Sequence, residues 1–365
     1  MPTHLASPAD DGFRMPAEFE PHRGCWMLWP ERPDNWRKQA GPAQQAFASV
    51  AAAIATSEPV TVGASRAQYA QARALLPESV RVVELSSDDA WMRDVGPTCV
   101  VNDKGEVRGV DWRFNAWGGA LYDSWAQDQL VARKVLDIER FDRYAAPFVM
   151  EGGAVHVDGC GTVITTEQCL LDANRNPELD QGSMELMLYE YLGASTVIWL
   201  GRGIPEDETG GHVDELCCFI KPGVVLLTWT DDKRDALYPI CRDAYARLME
   251  ARDARNRRLV VHKAPQPGPY YMTKREAQGV VRKPDSRARR AGDRLSASYA
   301  NLYIGNKVVV MPLLDKKYDS AVAKQLAALF PRRSIIGVQA REIVLGGGGI
   351  HCITQQIPLG RPAKA

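Results

Sequence analysis

The run Leu216-Cys217-Cys218-Phe219-Ile220, the tripeptide Lys221-Pro222-Gly223 and the run Val224-Val225-Leu226-Leu227-Thr228-Trp229 decide the fold. Two short apolar, β-branched runs separated by residues that favour a reversal are how an antiparallel strand pair reads in sequence. The same signature recurs at three other places. Residues 97–101 turn through Asn102-Asp103-Lys104-Gly105 into 107–112, residues 154–157 turn at Asp158-Gly159 into 162–165, and residues 299–304 turn at Gly305-Asn306-Lys307 into 308–312. A fifth pair is expected between 350–357 and 24–29, joining the ends of the chain.

Between the hairpins lie segments of helical periodicity, 125–140, 183–192, 233–252 and 320–330, rich in Ala, Leu and charged residues. Short strand candidates follow at 59–62, 80–85, 196–200, 259–262 and 334–338. Hairpin, helix and strand recurring in this order suggest small α/β blades arranged around an axis. An ordinary sandwich of mixed sheets fits the periodicity equally well. With no linker or low-complexity stretch along the chain, residues 1–365 are expected to form one domain.

Composition narrows the function. The 365 residues are 45% hydrophobic, enough for a large core, and 45 Lys plus Arg balance 45 Asp plus Glu. No global field favours nucleic acid or an anionic membrane, so a small molecule is the expected partner. No run reaches the ~20 apolar residues of a membrane span. Residues 1–20 carry Asp10, Asp11, Glu18 and Glu20 without an apolar stretch, which does not read as a secretory signal, and the eight cysteines include no CxxC pair. A cytoplasmic protein without a disulfide framework is expected.

The reactive side chains collect in the loops that lead into the hairpins, at 86–96, 150–153, 201–214, 290–297 and 346–352. The last contains Gly346-Gly347-Gly348-Gly349 ahead of Ile350-His351-Cys352, a backbone able to approach a ligand closely. A phosphate loop is excluded, because an extended segment rather than a helix follows. His212-Val213-Asp214 reads as the start of a strand, with imidazole and carboxylate on one face. His351, next to Cys352 on a strand, would point the other way and is read as structural. Asp94 and Glu151 add two carboxylates at hairpin entrances. No metal is expected, since zinc spacings and HExxH are both missing. A thiol surrounded by carboxylates calls for a cationic substrate centre, and a guanidinium suits paired carboxylates because its planar fork donates to both oxygens.

Seven stretches carry a family resemblance: MPAEFEPHRGCWMLWPERPDNWR (15–37), DDAWMRDVGPT (88–98), DWRFNAWGG (111–119), EGGAVHVDGCGTVITTEQCLLDANRNP (151–177), DETGGHVDELCCFI (207–220), AGDRLSASYANLYI (291–304) and GGGGIHCITQQIP (346–358). Together they resemble the agmatine deiminases of the guanidine-modifying pentein superfamily. The family more often carries Asn where this chain has Gly349. The resemblance implies a five-bladed α/β propeller with pseudo-fivefold repeats. It also implies hydrolysis of agmatine to N-carbamoylputrescine and ammonia, on the route from arginine to putrescine and polyamines, without cofactor. Carried over by residue, it implies Cys352 as nucleophile and His212 as acid and base. Asp94 and Asp214 would hold the guanidinium, Glu151 would bind it and steady His212, and Trp91 and Gly349 would line the substrate.

The distal ammonium of agmatine requires an acceptor, for which Glu206, Asp207 and Glu208 are candidates. A homodimer is consistent with the family. The basic stretch 274–294 reads as a solvated loop or a mobile lid, or as a contact for a substrate carboxylate if the chain deiminates arginine, free or within a peptide. Superfamily members that bind ribosomes lack the catalytic set, which is present here.

Overall fold

The computed structural model describes residues 1–119, 121–122, 124–284 and 286–363, so Asp285 within the basic stretch and the last two residues of the expected domain lie outside the described residues. All five predicted strand pairs form. Thr98–Val101 pairs antiparallel with Glu106–Arg113, His156–Val157 with Thr162–Thr166, Cys217–Lys221 with Val224–Trp229, and Tyr303–Ile304 with Val308–Leu313. The fifth, Gln355–Pro358 with His22–Leu28, joins the two ends of the chain. In every unit a parallel strand then lies against the second hairpin strand: Arg143–Val149, Thr196–Leu200, Val260–Pro265, Ser334–Gln339 and Val60–Ala64. Arg81–Glu84 extends the last of these sheets.

The order follows from burial. The middle strand of a unit, such as Val224–Trp229, has neighbours on both edges and is buried along its whole length, hence its continuous apolar run. At Gly223 the reversal needs φ +76°, open to glycine without strain. The connecting helix covers one face of the sheet. Leu237–Glu250 buries Leu237, Ile240, Cys241, Ala244 and Leu248, a stripe at helical spacing, so trimming Leu248 to Ala is expected to cost about 2–5 kcal/mol. Gln181–Leu192 starts where Asp180 accepts from the Ser183 N–H at 2.8 Å and stops at Gly193 in the left-handed conformation.

Two expectations about the site loops are corrected. Residues 350–353 form a turn, and the strand begins only at Gln355. Val213–Leu216 is a single helical turn that His212 precedes, and the strand begins at Cys217. The strand Arg143–Val149 has no counterpart among the strand candidates. It contains Pro147, which cannot donate to a ladder, and the register slips at this point, between Asp111 and Arg113 of the partner strand.

Candidate active site

The site is built where the entrance loops of the hairpins meet, and Gly153 shows how closely. A Cβ on that residue would lie 2.5 Å from His212 Nδ1, 2.9 Å from Asp94 Oδ1 and 3.0 Å from Asp214 Oδ2. Three predicted side chains from two separate loops thus converge on the glycine of a third. Glu151-Gly152-Gly153 needs its glycines for this contact, since a Cβ on Gly152 would sit 2.3 Å from the Arg93 carbonyl oxygen.

Asp94 is buried on the short turn Met92–Val95 and accepts from Trp117 Nε1 at 3.0 Å and from the Gly153 N–H at 3.1 Å. Burial, with Asp214 and Glu151 nearby, outweighs His212 and pushes its carboxyl up to about 6. Glu151 is the contrasting neighbour. Burial would raise it too, but Arg175, whose Nε lies 3.0 and 3.1 Å from its two oxygens, and His212 hold it below the usual range.

His212 is wholly buried between these two acids, with Nδ1 3.8 Å from Asp94 Oδ1 and Nε2 3.5 Å from Glu151 Oε2. Neither ring nitrogen makes a hydrogen bond among the described residues. Burial opposes the charged ring, yet Asp94 and its other neighbours raise its pKa well above the ordinary value, so it is an imidazolium at neutral pH. Its backbone N–H donates to Asp207 at 2.8 Å, which fixes the loop.

Cys352 Sγ lies 3.5 Å from Asp214 Oδ2 and 3.9 Å from Glu215 Oε1, and receives a hydrogen bond from Asn301 Nδ2 at 3.1 Å. Burial and the carboxylates Asp214, Glu215 and Asp94 push this thiol well above its ordinary value. The same burial, together with Asp214, raises the Glu215 carboxyl well above its ordinary value. Asp214 stays ionised despite burial, because His351 Nδ1 lies 2.8 Å from its Oδ2. The ring of His351 reaches on to Glu18 with Nε2, also at 2.8 Å. On a turn rather than a strand, His351 therefore does not face away from the site as expected. It braces a site carboxylate from behind.

A narrow cavity opens above the thiol, lined by Trp91, Asp94, Trp117, Tyr122, Glu208 and Gly346 to Gly348. Trp91 packs against Trp36 and donates to Asp89 at 3.0 Å, so it serves the core and the cavity wall together. Each glycine of the quartet admits a neighbour. A Cβ on Gly348 would meet Trp91 at 2.8 Å and Cys352 Sγ at 3.0 Å, and Gly347, at φ +115°, would meet Glu208 at 2.7 Å. Of the residues predicted for the site, Cys352, Asp94 and Trp91 line the cavity. His212, Glu151 and Asp214 form the buried acid and base layer, and Gly349 lies against Asn301. Glu215, Asn301, Arg175 and Glu18 went unassigned by sequence. Glu215 was signalled only by its place beside Asp214; the other three are distant in the chain.

Among the described residues two clusters have metal-ligand chemistry, Glu18 with His156 and His351, and Glu151 with Cys169 and His212. In each the carboxylate is already engaged, Glu18 by His351 and Glu151 by Arg175.

The model of the Porphyromonas-type peptidyl-arginine deiminase family matches residues 14–358. The agmatine deiminase of Pseudomonas aeruginosa (strain LESB58) is 54% identical over all of both chains, and that of Stutzerimonas stutzeri (strain A1501) is 53% identical over 98% of this chain and 99% of its own. The chain belongs to the agmatine deiminase family. A solved structure, the agmatine deiminase of Enterococcus faecalis, superposes with a TM-score of 0.95 at 46% identity, covering 98% of this chain and 100% of its own. The seven matching motifs thus point to the right family, whose members share this mixed α/β fold. No helix among the described residues is long and apolar enough to cross a membrane.

Proposed function

We propose that this chain hydrolyses agmatine to N-carbamoylputrescine and ammonia, with Cys352 as nucleophile and His212 as proton carrier. The observation that carries the reading is the set of acceptors around the thiol. Asp214 Oδ1 and Glu215 Oε2 are buried without a hydrogen-bond partner among the described residues, in a chain 54% identical to an agmatine deiminase. Buried acceptors left open suit a ligand that only donates, and a guanidinium is such a ligand.

Asp94 and Asp214 hold the guanidinium nitrogens, and its positive charge offsets the carboxylates that disfavour the thiolate, so substrate helps to ionise Cys352, whose proton passes to solvent. Sγ then attacks the guanidinium carbon and a C–S bond forms. His212 passes its proton to the departing nitrogen, the C–N bond breaks, and ammonia leaves an amidino-cysteine. Water attacks that carbon and neutral His212 takes one of its protons. The C–S bond breaks with its electron pair returning to sulfur, the water oxygen stays as the ureido oxygen, and the second water proton passes to solvent. Glu151, held by Arg175, keeps His212 in place and steadies its charge.

Glu208 is the acceptor for the distal ammonium. Asp207 is occupied by the N–H groups of Thr209, Gly211 and His212, whereas Glu208 lines the cavity. Trp91 flanks the alkyl chain. A substrate carboxylate, as in arginine, would need a basic partner, and Arg289 of the basic stretch is already bound to Glu208, Asn35 and the Gly346 carbonyl.

The radial reading of the fold belongs to the same proposal. Five hairpin, helix and strand units of a single domain stand around one axis as propeller blades, with the entrance loops meeting at its end. Its support is the recurrence of the pattern in five sheets. A homodimer, on the resemblance, and a cytoplasmic location, on the composition, complete it. The test is release of ammonia and ureido product from agmatine, arginine and an arginine peptide, by the native chain and Cys352→Ala. Agmatine turnover lost in the variant is expected; turnover surviving it overturns the covalent route.

A further inference from the structure

One wall of the cavity is made by a segment of unusual backbone. Ala116 and Trp117 have φ of +56° and +57°, and Gly118 and Gly119 follow at +91° and +74°, so four residues in a row are left-handed. For an L side chain this conformation is disfavoured, most of all for a bulky one. Of the non-glycine residues held there among the described residues, Trp117 is the one that lines the cavity. We propose that Trp117 is a positioning residue, that its indole N–H sets the Asp94 carboxylate for the guanidinium, and that the left-handed turn 116–119 serves to deliver it. The proposal rests on reading Asp94 as a guanidinium ligand.

Strained backbone persists only where its surroundings over-determine it, and here they do. The Gly118 N–H donates to Asn115 Oδ1 at 2.9 Å, and Asn115 Nδ2 donates to the Asn174 carbonyl at 2.9 Å. A Cβ on Gly118 would lie 3.2 Å from Asn174 Cβ and 3.3 Å from Asp172 Oδ2, so the turn is seated on the segment that also sends Arg175 to Glu151. The indole itself meets the Phe114 ring edge-on at 5.1 Å and the Tyr122 ring at 6.2 Å. A right-handed residue at 117 would send its side chain in another direction and lose Asp94.

The surroundings of Asp94 give this hydrogen bond its importance. Asp214, Glu151 and the Cys352 thiol all face the carboxyl, and His212, with Nδ1 3.8 Å from Oδ1, is the cationic neighbour. Arg93, on the same turn, is directed to Gln356 and the His351 carbonyl. Among the described residues two hydrogen bonds reach the carboxylate, from the Gly153 N–H to Oδ1 and from Trp117 Nε1 to Oδ2. Each oxygen thus keeps a lone pair for the substrate. The indole favours the anion without bringing a charge, so it does not repel the incoming guanidinium as an Arg or Lys would.

The experiment measures agmatine affinity by calorimetry between about pH 5 and pH 9 in the Cys352→Ala chain, and in the same chain carrying Trp117→Phe or Asn115→Ala. Trp117→Phe keeps an aromatic wall but loses the N–H. The pH below which affinity falls should move up by about one unit, with affinity at pH 9 within about threefold of the parent. Asn115 is half-buried and outside the cavity lining, so Asn115→Ala releases the turn without touching the substrate. It should move the acid limb in the same direction by a smaller amount, and it keeps the test decisive if Trp117→Phe does not fold. A loss of affinity that is equal at every pH in Trp117→Phe would leave the residue as a wall only and overturn the proposal. An unmoved limb in Asn115→Ala would overturn the part given to the turn. If the Cys352→Ala chain itself shows no acid limb, the reading of Asp94 fails instead, and that is a separate result.

Discussion

Two buried histidines of the site are treated in opposite ways. His351 has both ring nitrogens 2.8 Å from carboxylate oxygens, whereas His212 has no hydrogen bond to either nitrogen, its nearest acids standing at 3.5 and 3.8 Å. Both have raised pKa values, held up by neighbouring carboxylates against burial, so charge does not separate them. What separates them is whether the proton can leave. At His351 the proton and its acceptors form a closed set, which is how a buried polar group stabilises a fold. At His212 the contacts are left open, and a closed set there would hold the proton that the reaction has to move.

The largest effect that could break this contrast is the loss of His212. His212→Asn removes a charge but no hydrogen bond, so it should destabilise the chain less than the loss of His351 does while kcat falls about 10³-fold. Thermal unfolding and steady-state kinetics on one preparation check both halves. His351→Gln should show the reverse balance. It leaves Glu18 and Asp214 buried with one neutral partner in place of a charged one, at a cost of about 3 kcal/mol in urea unfolding. If His212→Asn is the more destabilising of the two, the contrast between an open and a closed histidine is wrong.

The contrast could not be read from the sequence, and the reason is local. The four local hairpins were legible because each has two apolar, β-branched runs around a turn of two to four residues, and the strand Thr196–Leu200 forms as expected. The site loops use single turns of helix, at Met92–Val95 and Val213–Leu216, too short for a 3.6-residue period to show. Read as a strand, residues 350–353 put His351 and Cys352 on opposite faces; as a turn, they bring both to Asp214. Glu18, Arg175 and Asn301 meet the site across 333, 24 and 51 residues of chain, respectively. No local pattern marks such residues. Cys352, His212, Asp94, Glu151 and Asp214 stood out as candidates in the entrance loops, and their separate roles came from the family motifs.

A second contrast, between the acids on either side of His212, has a pH signature. Arg175 keeps Glu151 ionised, while burial and two neighbouring carboxylates push Asp94 up to about 6. Below that pH Asp94 takes a proton and no longer attracts a guanidinium; above it the carboxylate is charged and binds. Agmatine affinity of the Cys352→Ala chain, measured by calorimetry, should therefore fall about tenfold for each pH unit below about 6 and level off above it. In the Cys352→Ala/Asp94→Asn chain binding should be weak and flat across the same range. An acid limb that survives in that chain would move the titration to another group and remove the asymmetry between the two acids.

The smallest expected effect lies at the mouth of the cavity, where Glu208 meets both Arg289 and the proposed ammonium of the substrate. Arg289 is buried and also bound to Asn35 and the Gly346 carbonyl, so it remains in place when substrate arrives and continues to neutralise part of the Glu208 charge. Glu208→Gln should therefore raise KM for agmatine only about fivefold and leave kcat nearly unchanged. For butylguanidine, which has the same guanidinium and chain but no ammonium, KM should not rise at all. Equal losses for both guanidines would mean that Glu208 acts through the glycine loop, since its carboxylate lies 2.7 Å from where a Cβ on Gly347 would be, and not through the distal charge.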